Sequence, residues 1–303
     1  MWVGIDENGL GPRLGPLIVT ACAIDCGPDL RTASLQAKAM GIADSKEIAG
    51  FGRMGQLESL VLALLEAHFG KAPRHGKELF ALLSIEPVSA LQLRCPDSLS
   101  KSQCWTLASL PALGGELDRG RVLLRTIEAP PLALRMRWAA SAIACPKRIN
   151  QARSQGQSKL DLLLELVERL LLASAARLGT PIHATCGRIG AIRTYVPRFR
   201  FLSKNPCEVL EESPASSRYR IEGLGLVEFL VDAEAHSPAV ALASMIGKYL
   251  RELMMSSIVS FYRSLDPTLQ AVSGYRDPLT ARFVEATRAH RIRLKVLDEC
   301  FER

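Results

Sequence analysis

Residues Leu17 to Asp25, LIVTACAID, constrain the fold more than any other stretch of the chain. A strand turns alternate side chains to opposite faces, and here both alternating sets are mostly apolar. Such a strand belongs inside a sheet covered on both sides, so helices are expected above and below it. A shorter strand is expected at Met1 to Asp6. The glycines and prolines between the two favour a tight antiparallel hairpin. Hydrophobic residues make up 48% of the 303, enough to fill an interior and too many for a disordered chain.

Further along, Met54, Leu57, Leu60, Val61, Leu64 and Leu65 recur at helical spacing within Arg53 to His68. Leu160 to Leu178 reads as a long amphipathic helix, followed by a short strand at Pro181 to Cys186. Arg218 to Glu222 and Leu226 to Val231 read as a second hairpin. Ser237 before Pro238 gives an N-cap and first-turn signature for a helix. Ala239, Ala243 and Gly247 would let that helix lie close on a sheet. Residues 70 to 148 carry short apolar runs cut by GKAP, PALGG and APP, and read as an insertion-like region. The expected division is a main domain over 1–255 and a helical extension over 256–303.

Asp6 and Glu7 close the first strand with no lysine or arginine nearer than Arg13. Buried carboxylates are costly unless paired or bound to a cation, and hard divalent ions such as Mg²⁺ prefer oxygen ligands. Neighbouring strand residues point apart, so both acids reach one site only if the strand ends or bulges there. Gly9 and Gly11 permit that. The plainer reading is a pair of solvated acids before a turn. Asp232 and Glu234 leave a later strand just before a helix, where capping alone would explain Glu234.

These stretches, in this order, resemble the type 2 ribonuclease H family, ribonucleases HII and HIII. GIDENGLGPRLGP is similar to the family's opening strand and substrate-gripping turn. ADSKEI, containing Lys46, is similar to its next motif, and RINQ at Arg148 to Gln151 falls where its central helix begins. AHSPAVALASMIGKYLREL resembles the helix after its last catalytic acid, and SGYRDP its glycine–tyrosine turn. The resemblance covers residues 1–48, 149–195 and 228–285. It implies a mixed five-stranded sheet flanked by helices, with a C-terminal helical extension.

The activity it implies is hydrolysis of RNA in RNA–DNA hybrids, or at ribonucleotides embedded in DNA, with two divalent ions, Mg²⁺ or Mn²⁺. In such chemistry the ions sit about 3.5–4 Å apart, one preparing water and the other stabilising the leaving oxygen. Asp6 would bridge them, with Glu7 and Glu234 on either side. Glu234 stands ten positions before Ser244, where the family keeps an acid. Gly9, Leu10, Gly11, Arg13, Lys46, Arg188 and Tyr275 would contact substrate. Two positions depart from the pattern. Cys186 stands where an Asp is expected before a glycine, and Leu10 replaces an arginine between glycines; Arg13 is the nearest substitute.

Arg188, Arg193, Arg198, Arg200 and Lys204, interleaved with Tyr195, Phe199 and Phe201, form either a phosphate-contacting ridge or an ordinary charged surface. The net charge of +7 suits a polyanionic partner without requiring one. Two functions therefore stand side by side: a metal-dependent hybrid nuclease, and an inactive homologue that binds structured nucleic acid or a protein.

The eight cysteines include no CxxC pair, so they read as small buried hydrophobes rather than zinc ligands. Charges interrupt the most apolar stretch, so no membrane span is expected, and no signal peptide is visible. A monomeric cytoplasmic protein is expected.

Overall fold

The hairpin expected at the start of the chain is present, and the sheet grows outward from it. The computed structural model describes residues 1–26, 54–96, 98–130, 132–179 and 181–303. Its strands are β1 (Trp2–Asn8), β2 (Leu17–Asp25), β3 (Arg135–Ala144), β4 (Ile182–Gly187), β5 (Cys207–Glu212), β6 (Ser216–Ile221) and β7 (Gly225–Leu230). Among the described residues they form one seven-stranded sheet in the order β3-β2-β1-β4-β7-β6-β5. β1, β4 and β7 are mutually parallel, and the flanking pairings are antiparallel.

The helices are α1 (Met54–Phe69), α2 (Gly76–Leu83), α3 (Val88–Leu93), α4 (Ser98–Trp105), α5 (Leu117–Glu128), α6 (Pro146–Ser154) and α7 (Lys159–Leu178). There follow α8 (Ala233–His236), α9 (Pro238–Leu265), α10 (Pro278–Ala286), α11 (Arg288–Arg293) and α12 (Asp298–Phe301). The mixed sheet between helical layers, with helices after it, is the architecture the sequence implies.

β2 divides its side chains as its sequence requires. Ile18, Cys22 and Ile24 join the core under α1, α2 and α9. Leu17, Val19, Ala21 and Ala23 join the opposite core under α7. The small residues of α9 bring it against β1. A Cβ on Gly4 would lie 2.0 Å from the Val240 nitrogen and 2.1 Å from the Ala239 carbonyl carbon. Gly4→Ala should therefore push α9 off the sheet and lower stability by about 3 kcal/mol or more, read from the denaturant midpoint. An unchanged midpoint would mean that α9 does not need this approach.

The expected strand count needs correction, and two further features bear on the expected division of the chain. The sheet has seven strands rather than five, because the β5–β6 hairpin extends it beyond β7. The insertion-like region contains a full sheet strand, β3, which pairs with β2 along its length. α9 runs unbroken through residue 255, so the division drawn there falls inside one helix. Met255, Ile258 and Tyr262 on its far half share a core with Leu14, Phe283 and Phe301, which fastens the extension to the turn after β1. Asp44, Ser45 and Lys46 lie outside the described residues.

Candidate active site

The carboxyl ends of the parallel strands β1, β4 and β7 open onto one pocket, the usual place for ligands in open α/β sheets. Asp6 and Glu7 stand just before Asn8 closes β1, Gly187 closes β4, and the chain leaving β7 at Leu230 turns through Asp232 into α8, which carries Glu234. All of these residues line the pocket, together with Arg188 and Gly190. Both neighbours, Asp6 and Glu7, line it although β1 runs on without a bulge to Asn8 against β2; pairing with β4 stops at Ile5, which leaves that edge open beside the acids. A Cβ built on Gly187 would lie 3.2 Å from Asp6 Oδ1 and 3.7 Å from Glu7 Oε2.

Glu234 closes the group through α9. The Ser244 hydroxyl donates to Glu234 Oε1 at 2.6 Å, and its nearness to Asp6 favours the charged form of that carboxyl. The Asn8 amide donates to the Ser244 carbonyl at 3.1 Å, tying the strand end to the same helical turn. Three acids in one recess carry an electrostatic cost. Burial, then the Glu7 and Glu234 charges, hold the Asp6 carboxyl well above its ordinary range. Burial also pushes Glu7 up to about 7, with the Glu234 charge adding to it. Arg188 does not offset this, because its guanidinium donates to the Ser213 carbonyl at 3.0 Å and to that of Pro214. Asp232 lines the pocket but is exposed, with a left-handed backbone at φ 52° that aspartate tolerates better than most residues.

The donor set suits a hard divalent cation in kind, being carboxylate oxygen throughout. Among the described residues, no three His, Cys, Asp or Glu side chains close on a single point as a metal cage would. An ion here would be held by one or two carboxylates plus water or substrate oxygens, the usual habit of Mg²⁺.

Cys186 is in register with Ile5 and packs among Ile5, Tyr195 and Phe229, fully inside the core. Burial pushes its thiol far up, and it does not line the pocket. The β4 position that faces Asp6 is the neighbour, Gly187.

The turn after β1 is built to be gripped from several sides. Gly9 adopts φ +96°, and a Cβ there would meet the Pro16 carbonyl at 2.5 Å, so glycine is required. The Arg13 and Leu14 amides donate to the Gly274 carbonyl at 2.8 and 3.0 Å. Arg13 pairs with Glu302, which occupies the guanidinium expected to replace the missing arginine. Leu10 packs against the core under α7, and a Cβ on Gly11 would meet open space. Tyr275 is half exposed and stacks on Arg251, 4.9 Å from guanidinium to ring centre.

Sequence reasoning passed over Arg251 and Arg303. Both are more than nine-tenths buried beside this turn, and Arg303 donates to the Gly9 carbonyl. Arg251 Nε and Arg303 Nε and Nη1 have no hydrogen-bond partner. Burial and the charges of Arg251 and Arg276 lower the Arg303 guanidinium to about 10. Arg251 stands in the YLREL sequence of α9, a visible signal; Arg303 has none.

The basic run after β4 is tied down. Tyr195 and Phe199 are core residues, while Arg198 pairs with Asp161 and Arg200 with Glu165.

No protein-family profile matches the chain, and no curated protein matches it in sequence. The chain is similar in structure to the ribonuclease H2 of Pyrococcus horikoshii, with 14% identity and a TM-score of 0.49. That likeness covers 99% of this chain and 90% of that one. It is also similar to the ribonuclease HII of Archaeoglobus fulgidus, solved in complex with PCNA, at 16% identity and a TM-score of 0.44, over 99% and 93%. Bst-RNase HIII, solved in complex with Mn²⁺, is similar at 14% identity and a TM-score of 0.49, over 99% of this chain and 65% of that chain. Among the described residues, no helix is long and apolar enough to cross a membrane.

Proposed function

We propose that this chain is a divalent-metal-dependent endonuclease of the ribonuclease H type, acting on RNA–DNA hybrids or on DNA with embedded ribonucleotides. The observation that carries the reading is the convergence of Asp6, Glu7 and Glu234 in one pocket, where burial and neighbouring negative charge hold the Asp6 and Glu7 carboxyls above their ordinary range. Bound Mg²⁺ or Mn²⁺ would supply a Lewis acid and an activated water there. Asp6 and Glu7 would hold the ions from the strand side and Glu234 from the helix side. Ser244 holds Glu234 in place.

The unpartnered guanidinium nitrogens of Arg251 and Arg303 support a phosphate position beside the turn of Gly9 to Gly11, with Tyr275 at its rim. Arg303 would supply the charge that Leu10 lacks, since Arg251 pairs with Glu252. Hybrid duplex should accordingly bind with strong salt dependence. Engagement of about four phosphates gives roughly a hundredfold loss of affinity between 50 and 200 mM salt. Equal affinity at both salts would count against a phosphate-gripping surface. Cleavage of a labelled hybrid, dependent on Mg²⁺ or Mn²⁺ and stopped by chelator, tests the reaction itself.

One observation favours the second reading, an inactive homologue that binds structured nucleic acid. β4 offers the pocket a glycine and no carboxylate. Salt-sensitive binding with no cleavage under either metal would decide for it.

A further inference from the structure

β1 and α9 meet in successive rungs. Gly4, Asp6 and Asn8 share one face of the strand, because alternate side chains do. Val240, Ser244 and Gly247 recur along α9 at the spacing of one helical face. Gly4 lies against Val240, as described above. The rung at the other end is polar. There the Asn8 side-chain amide donates to the Ser244 carbonyl at 3.1 Å. A Cβ built on Gly247 would lie 2.8 Å from Asn8 Nδ2 and 2.9 Å from Thr20 Oγ1. Thr20 is in register with Asp6 on β2 and cannot easily give way. Its hydroxyl lies 2.8 Å from that of Ser141, and both residues are fully buried. The bare backbone at Gly247 is what admits Asn8 to the helix.

We propose that Asn8 is a positioning residue, which sets where α9 sits along β1 and so where Glu234 stands relative to Asp6 and Glu7. The path is short. Asn8 holds the Ser244 carbonyl, and the Ser244 hydroxyl donates to Glu234 Oε1 at 2.6 Å. One residue of α9 thus joins the strand bearing two acids to the third acid. A carbonyl oxygen has two lone pairs, so α9 can take this bond and still run on unbroken. Glu234 gains from such a hold, because α8 is a single turn of four residues, whereas α9 has 28. The apolar packing of α9 on the sheet is non-directional and resists separation better than sliding. A hydrogen bond at a fixed place supplies the missing direction.

This role rests on the reading of the three acids as a metal-holding group, so placement is also measured without metal. Mn²⁺ binding to the full chain is followed by loss of the free-ion spin-resonance signal in the parent, Asn8→Ala, Ser244→Ala and the double variant. Asn8→Ala should raise the Mn²⁺ dissociation constant about tenfold, the usual cost of losing a group behind a metal ligand. In the Ser244→Ala background the same change should add little, since Asn8 acts through Ser244. Val167→Ala, a truncation in the core under α7, should lower the melting temperature and leave Mn²⁺ affinity alone. Without metal, amide hydrogen exchange over residues 233–248 should quicken in Asn8→Ala and stay at the parent rate in Val167→Ala.

A parent that binds no Mn²⁺ would sink the metal reading, and exchange then decides on Asn8 by itself. Unchanged exchange over 233–248 in Asn8→Ala overturns the positioning role. So does an unchanged affinity where the parent binds Mn²⁺, or losses from Asn8→Ala and Ser244→Ala that simply add.

Discussion

An Asp6→Asn chain should bind hybrid duplex as the parent does, yet cleave it at least about 10³-fold more slowly. The amide keeps the shape of the side chain and its contact with Ser244, but it removes the charge on which divalent ions would depend. The same change should stabilise the metal-free protein at neutral pH, because it takes one charge out of a buried, self-repelling group. Activity and stability thus move in opposite directions. A merely structural Asp6 would not produce that pairing. Retention of full cleavage would remove the carboxylate site from the mechanism.

The metal-free parent should show the same repulsion as a pH dependence. Glu7 titrates near 7 in the folded chain and near 4.5 when unfolded. Between those values the folded state binds more protons than the unfolded one, so stability falls as pH rises. The loss over that window is roughly 3 kcal/mol from this group, shared with Asp6 because the acids titrate together. Above pH 7 the Glu7 share of the cost levels off, and saturating Mn²⁺ should restore what was lost. Thermal melts from pH 4.5 to 8, with and without Mn²⁺, would show it; a flat metal-free profile would contradict the buried acid cluster.

The second large effect separates two neighbours on β4. Cys186→Asp places a carboxyl among Ile5, Tyr195 and Phe229 and should cost several kcal/mol, with no gain in Mn²⁺ binding. Gly187→Asp places one against Asp6 and Glu7. It should destabilise the metal-free chain at neutral pH, recover stability with Mn²⁺, and raise hybrid cleavage above the parent. The reverse pattern, with rescue at 186 and none at 187, would show that the strand presents its other face to the pocket.

Much of this is legible in the sequence alone. β2 has the bounds read from its sequence, because a strand buried on both faces leaves an unbroken apolar record. The acids of β1 stood out because their burial lacked an obvious countercharge. β3 was missed because Arg135 and Arg137 enter it before its apolar part, and β5 because most of its side chains face water. The contrast between Cys186 and Gly187 is a matter of strand parity, which a motif match does not carry.

The turn beside Asp6 is completed by Gly274, Glu302 and Arg303, nearly the whole chain away in sequence. During synthesis the strand bearing two of the three acids emerges before α9 and before the groups that fix the turn next to it. That turn is therefore fixed only once Gly274, Glu302 and Arg303 have been made. Contacts of such long range also slow folding, since a large loop must close before they form. The setting of the two acids thus waits on the last of these groups.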